Sequence, residues 1–172
     1  VPIIVSDNSP LSVLIPLGQV DVLRALFGTV LLPPEVFSEL GHPDSPEAVR
    51  QFSAALPDWV RIQSPTSIAV FPKLHAGETA AISLAIELDT TLLMDEKNGR
   101  RVARTQGLKI IGAVGVLEQA AIAGLLPDFE EVYKRIRTLH FHVSDRILND
   151  SLARIEMSLS LRKNNAEDGT PA

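Results

Sequence analysis

Residues 2–11 read P-I-I-V-S-D-N-S-P-L. Ile3, Ile4 and Val5 make an apolar run that breaks off at Asp7, and Ser9-Pro10 then opens a helical pattern. An unbroken run rich in β-branched residues suits a strand covered on both faces, as in a parallel sheet. A carboxylate at the end of such a strand sits where an unpaired charge is costly. Residues 91–100, T-L-L-M-D-E-K-N-G-R, repeat the arrangement, with Asp95 ending a second apolar strand.

Outward from these two points, short apolar runs alternate with helical patterns. Strands are expected at Pro2–Ser6, Thr29–Leu32, Trp59–Gln63, Thr91–Met94 and Lys109–Ile111. Helices are expected at Pro10–Gly18, Val20–Phe27, Pro34–Leu40, Pro46–Leu56, Ala76–Leu88, Asn98–Gln106, Val114–Ala123 and Asp128–Leu139. Pro33-Pro34 and Pro127 fall at helix starts, and Gly18, Gly107 and Gly124 at helix ends, the usual asymmetry of these residues. Such β–α alternation predicts a three-layer α/β/α fold around a mainly parallel sheet. Leu148, Leu152, Ile155 and Leu159 form the stripe of a C-terminal amphipathic helix, able to cap the domain or meet a partner. One domain over 1–161 is expected, with 162–172 a polar tail whose last ten residues fray.

The composition bounds the function. Of 172 residues, 45% are hydrophobic and 22% charged, which is globular, and the net charge of −5 argues against broad adhesion to nucleic acid or anionic membrane. With no cysteine, disulfides, thiolate catalysis and Cys-ligated zinc are excluded, and a reducing cytoplasm is compatible. No run approaches the ~20 apolar residues of a membrane span. A soluble cytoplasmic protein is expected.

In a parallel α/β sheet, ligands bind beyond the carboxyl ends of the strands. Asp7 and Asp95 both stand there, although a strand-end Asp is also a common cap or turn former. Glu78, in G-E-T-A-A-I-S-L-A, lies in the first turn of a helix apolar nearly all round. It either offsets the helix dipole or reaches the same crevice. Glu35 and Glu39 are four apart on one helix face, and spacing alone does not choose between them. Carboxylates brought together raise one another's pKa values, and a hard divalent cation reverses that penalty.

Taken together, D-N-S-P-L (Asp7–Leu11), P-E-V-F-S-E-L (Pro34–Leu40), G-E-T-A-A-I-S-L-A (Gly77–Ala85) and L-L-M-D-E-K-N-G-R-R-V-A (Leu92–Ala103) resemble the PIN-domain ribonucleases. The likeness is to the family that includes the VapC-type toxins of toxin–antitoxin pairs, and G-L-K-I-I-G-A-V-G-V-L (Gly107–Leu117) continues it. It implies Asp7, Glu39, Glu78 and Asp95 as catalytic ligands of Mg²⁺ or Mn²⁺, and so selects Glu39 over Glu35. It also implies Ser9 as a hydroxyl beside the metal, an RNA substrate, a small antitoxin partner and a homodimer. Where a second Asp often follows the strand-end acid, this chain has Glu96, a possible outer-shell residue, and then Lys97.

Lys97, Arg100, Arg101 and Arg104 share one helix face and would make a phosphate-steering ridge beside the acids, unless they are simply a solvated face. His140 and His142 would share a strand face, but no third ligand stands at zinc spacing, and His42 and His75 are isolated. Gly112 and Gly115 lack the complete dinucleotide spacing and read as packing glycines. Three functions follow: a metal-dependent endoribonuclease, a catalytically silent PIN-like module that binds RNA or protein, and another Mg²⁺-dependent phosphate-processing enzyme.

Overall fold

The computed structural model describes residues 2–139 and 141–167. Five strands form one sheet: β1 (Ile3–Ser6), β2 (Thr29–Leu32), β3 (Val60–Ile62), β4 (Leu92–Leu93) and β5 (Ile110–Ile111). Every pairing is parallel and the order is β3-β2-β1-β4-β5. Ile4, Val5, Val30, Leu32, Leu92 and Leu93 are fully or almost fully buried, as continuous apolar runs require. The sheet is flanked by helices, so the fold is α/β, and the sheet is all-parallel. From β1 the chain builds β2 and β3 on one side, then crosses to β4 and β5 on the other. That reversal opens a crevice between the carboxyl ends of β1 and β4, where open α/β sheets hold their ligands.

The chain divides into two compact units, Val1–Ala113 and Val114–Ala172. The first holds the sheet with α1 (Asn8–Leu14), α2 (Val22–Phe27), α3 (Pro34–Leu40), α4 (Glu47–Ala54), α5 (Ala76–Leu88) and α6 (Lys97–Thr105). α5 buries Ala80 through Ala85 all round, and α3 packs against it. α1 begins at Asn8, two residues before the expected Pro10, which places proline inside the first turn where no intrahelical amide is needed. Gly107 and Gly124 stand just past the ends of their helices at φ of 77° and 78°, and Gly18 ends the turn that follows α1 at 71°, a conformation that glycine adopts without strain.

The second unit is helical: α7 (Ala113–Ile122, entering from the first unit by one residue), α8 (Phe129–Ile136) and α9 (Asp145–Glu167). A polar chain pins α9 to α7 and α8. The buried Tyr133 hydroxyl lies 2.6 Å from Ser151 Oγ, which donates to Glu118 Oε2 at 2.7 Å. Arg154 grips the same carboxylate through Nε at 2.8 Å and Nη2 at 2.9 Å. Along the expected stripe Leu148 and Ile155 are buried, and Leu152 and Leu159 are half-buried.

Two expectations need correcting. Residues 162–167 are helical rather than frayed, because α9 runs through Glu167 and Arg162 Nη1 donates to the Ile122 carbonyl; residues 168–172 lie outside the described residues. No strand covers 141–144, so His142 stands in a loop, and His140 lies outside the described residues. Among the described residues no helix is long and apolar enough to cross a membrane.

Candidate functional site

At the carboxyl edge of the sheet a cavity of about 510 Å³ is lined by Asp7, Glu39, Glu78 and Glu96, with Ser9, His42 and His75 among its other walls. Four elements deliver the acids. Asp7 ends β1 in the N-cap position of α1, yet its side chain makes no capping hydrogen bond. Glu39 comes from the last turn of α3, and the packing of α3 on α5 lays its carboxylate over Gly77. A Cβ at Gly77 would collide with Glu39 Oε1, so the absence of a side chain there makes the close approach possible. Glu78 is anchored in the first turn of α5, its Oε2 accepting the His75 amide at 3.0 Å. Glu96 precedes α6, its Oε2 accepting the Gly99 amide at 2.7 Å.

Ser9 joins the two sides of the crevice. Its hydroxyl donates to Asp7 Oδ2 at 3.0 Å and accepts the Asp95 amide at 3.3 Å. Asp95 itself does not line the cavity. Its two carboxylate oxygens share the Ala113 amide at the start of α7, at 3.1 and 3.2 Å. Gly112 makes room for this, since a Cβ there would collide with Asp95 Oδ1.

The site is electrostatically loaded. Asp7 is 3% exposed and Glu78 7%. Burial pushes the Asp7 carboxyl up, against the Asn8 amide and the Ser9 hydroxyl, and the charge of Glu96 adds to the rise. Glu39 is raised by burial and then by Asp7, against the Gly77 amide. Glu78 is raised by burial and by Asp7 and Glu96, against the His75 amide. Burial lifts Asp95 to about 6 even though Ala113 and the charge of Arg100 lower it. Among the described residues no lysine or arginine forms a salt bridge with Asp7, Glu39, Glu78 or Glu96.

The basic helix is divided by its burial. Lys97, Arg101 and Arg104 are exposed on α6. Arg100 is half-buried, with Nη1 donating to the Met94 carbonyl at 2.6 Å, so it stands beside Asp95 instead of continuing a solvent ridge. Glu35 lines a separate recess with Pro34, Ser38, Glu39 and Ala76, and its Oε2 is buried with no hydrogen-bond partner among the described residues.

His42 and His75, isolated in the sequence, both reach the cavity wall. His42 Nδ1 accepts the Asp44 amide at 3.1 Å, which fixes the ring at the rim. No sequence signal marks His42, because the turn from α3 to α4 brings it there. Gly77 stands in the G-E-T-A-A-I-S-L-A motif, but its contact with Glu39 depends on how α3 packs on α5.

A family model described as PIN domain matches residues 3–157. The chain belongs to the PIN-domain family. PIN domains are generally nucleases and generally depend on a divalent metal. Among solved structures, this PIN domain is similar to a PilT N-terminus domain protein from the hyperthermophilic archaeon Sulfolobus solfataricus P2. The two are 16% identical, with a TM-score of 0.46, over 83% of this chain and 99% of that one. No curated protein matches.

The donor set fits the metal that a PIN domain implies. Asp7, Glu39, Glu78 and Glu96 offer only carboxylate oxygen, the ligand type that Mg²⁺ and Mn²⁺ take. Among the described residues no three acidic or histidine side chains close on one point. The pocket therefore suits an ion held by one or two carboxylates that keeps much of its water.

Proposed function

We propose that this PIN domain is a Mg²⁺- or Mn²⁺-dependent endoribonuclease and the toxin of a type II toxin–antitoxin pair. The observation that carries the reading is the cavity that Asp7, Glu39, Glu78 and Glu96 line together without a basic salt-bridge partner among the described residues. A divalent ion bound there would lower the pKa of a water and polarise a phosphoryl oxygen. Of Asp7, Glu39, Glu78 and a carboxylate from the end of β4, one or two would hold it directly and the others through its bound water. Ser9 holds Asp7 in place through its hydroxyl. Lys97, Arg101 and Arg104 would bind the RNA backbone without reading its sequence. Cleavage is hydrolytic, with no covalent enzyme intermediate.

The toxin role rests on the likeness of the chain's motifs to VapC-type proteins. It brings with it a small antitoxin whose segment covers the site, a homodimer and a cytoplasmic location. The test is RNA cleavage by the purified protein with and without EDTA. Asp7→Asn is expected to abolish metal-stimulated cleavage while the circular dichroism stays that of the wild type; equal activity in the variant refutes the reading.

A second reading, a catalytically silent PIN module, is favoured by the absence of three converging ligands among the described residues. Titration with Mn²⁺ separates the two. The enzyme gains thermal stability through ligand linkage, and the silent module has no such requirement.

A further inference from the structure

We infer that Glu96, and not Asp95, supplies the carboxylate that the end of β4 contributes to the cation, and that Asp95 is the anchor fastening the end of β4 to Ala113, just after β5. The inference rests on the reading of the cavity as a metal centre and names one of its ligands.

Four observations carry it. Glu96 lines the cavity with Asp7, Glu39 and Glu78, whereas Asp95 does not. Both oxygens of Asp95 are turned to the Ala113 amide, in a space that exists only because residue 112 has no side chain. Arg100, whose Nη1 donates to the Met94 carbonyl, stands on the Asp95 side of the crevice: a Cβ at Gly112 would meet Asp95 Oδ1 and Arg100 Nη1 together. No lysine or arginine among the described residues forms a salt bridge with Glu96. A cation entering the crevice would have to draw Asp95 off the Ala113 amide and out of the space over Gly112, whereas Glu96 already lines the cavity.

The bond that Glu96 already makes does not disqualify it. Its Oε2 accepts one amide, from Gly99, and an ionised carboxylate has about four acceptor sites. Metal-ligating carboxylates are commonly hydrogen-bonded by a second partner that fixes their direction. The Gly99 amide is placed for that duty, aligning Glu96 at the mouth of the cavity.

The experiment measures Mn²⁺ binding by titration calorimetry on the full chain, with melting of the metal-free proteins as the folding control. Glu96→Gln, which keeps an oxygen for Gly99, should weaken Mn²⁺ binding at least tenfold. Asp95→Asn, which keeps an acceptor for Ala113, should leave it within about threefold of the wild type. Hydrogen exchange gives a readout independent of metal: Asp95→Ala should speed exchange of the Ala113 amide, and Glu96→Gln should not. Loss of binding in Asp95→Asn, or unchanged binding in Glu96→Gln, overturns the assignment while leaving the metal reading intact. A wild-type chain that binds no Mn²⁺ removes both.

Discussion

At Gly77 one added methyl group would collide with Glu39 Oε1. The carboxylate is the free end of a flexible side chain, so it can swing aside at little cost to the fold. Gly77→Ala is therefore expected to change stability by less than about 1 kcal/mol, because only the end of the Glu39 side chain has to move. It should weaken Mn²⁺ binding about tenfold, ~1.4 kcal/mol, measured by melting and calorimetry together. Gly112→Ala is a different case. Its Cβ would meet Asp95 Oδ1 and also Arg100 Nη1 at 3.1 Å, and both groups are tied. Overpacking of that kind should cost about 1–3 kcal/mol, visible as a shifted denaturation midpoint. Asp7 and Glu78 were legible as candidates in the sequence through their positions at a strand end and in a first helical turn, and Glu39 only through the likeness of its motif. The glycines' part was not, because it depends on which helix turns meet. Glu39 could not be told from Glu35 by spacing either, since only the packing of α3 on α5 separates them.

Among the elements, α6 carries a division of labour that a helical wheel hides. Lys97, Arg100, Arg101 and Arg104 fall along one face by count, yet Arg100 is turned inward to the Met94 carbonyl. Reversing charge at Lys97, Arg101 and Arg104 should weaken RNA binding and flatten its salt dependence. On a single strand the log–log slope should shrink by about 0.7 for each phosphate that is no longer neutralised. Arg100→Met should act mainly on stability. Filter binding at several salt concentrations distinguishes the two, and an unchanged slope in the triple variant would count against the ridge. Element order was fully legible, with α3 and α5 matching their expected bounds, because periodicity and proline or glycine stops agree there. β4 is shorter than its apolar run: Met94 is buried beyond the strand's end, since burial and strand pairing are separate requirements.

For the whole molecule, the buried acids make stability depend on pH and on metal in opposite directions. Asp7, Glu39, Glu78 and Asp95 all have raised carboxyl pKa values, Asp95 to about 6. The folded metal-free protein thus binds protons more readily than the unfolded chain between their two pKa ranges. The associated stability is present at low pH and is lost as pH rises through the folded values. Metal-free protein should accordingly melt higher near pH 5.5 than near pH 7.5. Mn²⁺ at a hundred times its dissociation constant should add about 2.7 kcal/mol, with the larger gain at the higher pH, where the carboxylates are ionised. Calorimetric melts at both pH values check the crossing; parallel curves would mean the acids do not share one ion.

The cavity draws its acids from positions 7, 39, 78 and 96, a span of more than half the polypeptide. During synthesis, with segments emerging in order from the amino end, no nascent fragment that stops short of the last of these holds all of them. On the nuclease reading, a ribosome making this protein is safe from it: the growing product cannot cut the message that encodes it until α6 has left the exit tunnel.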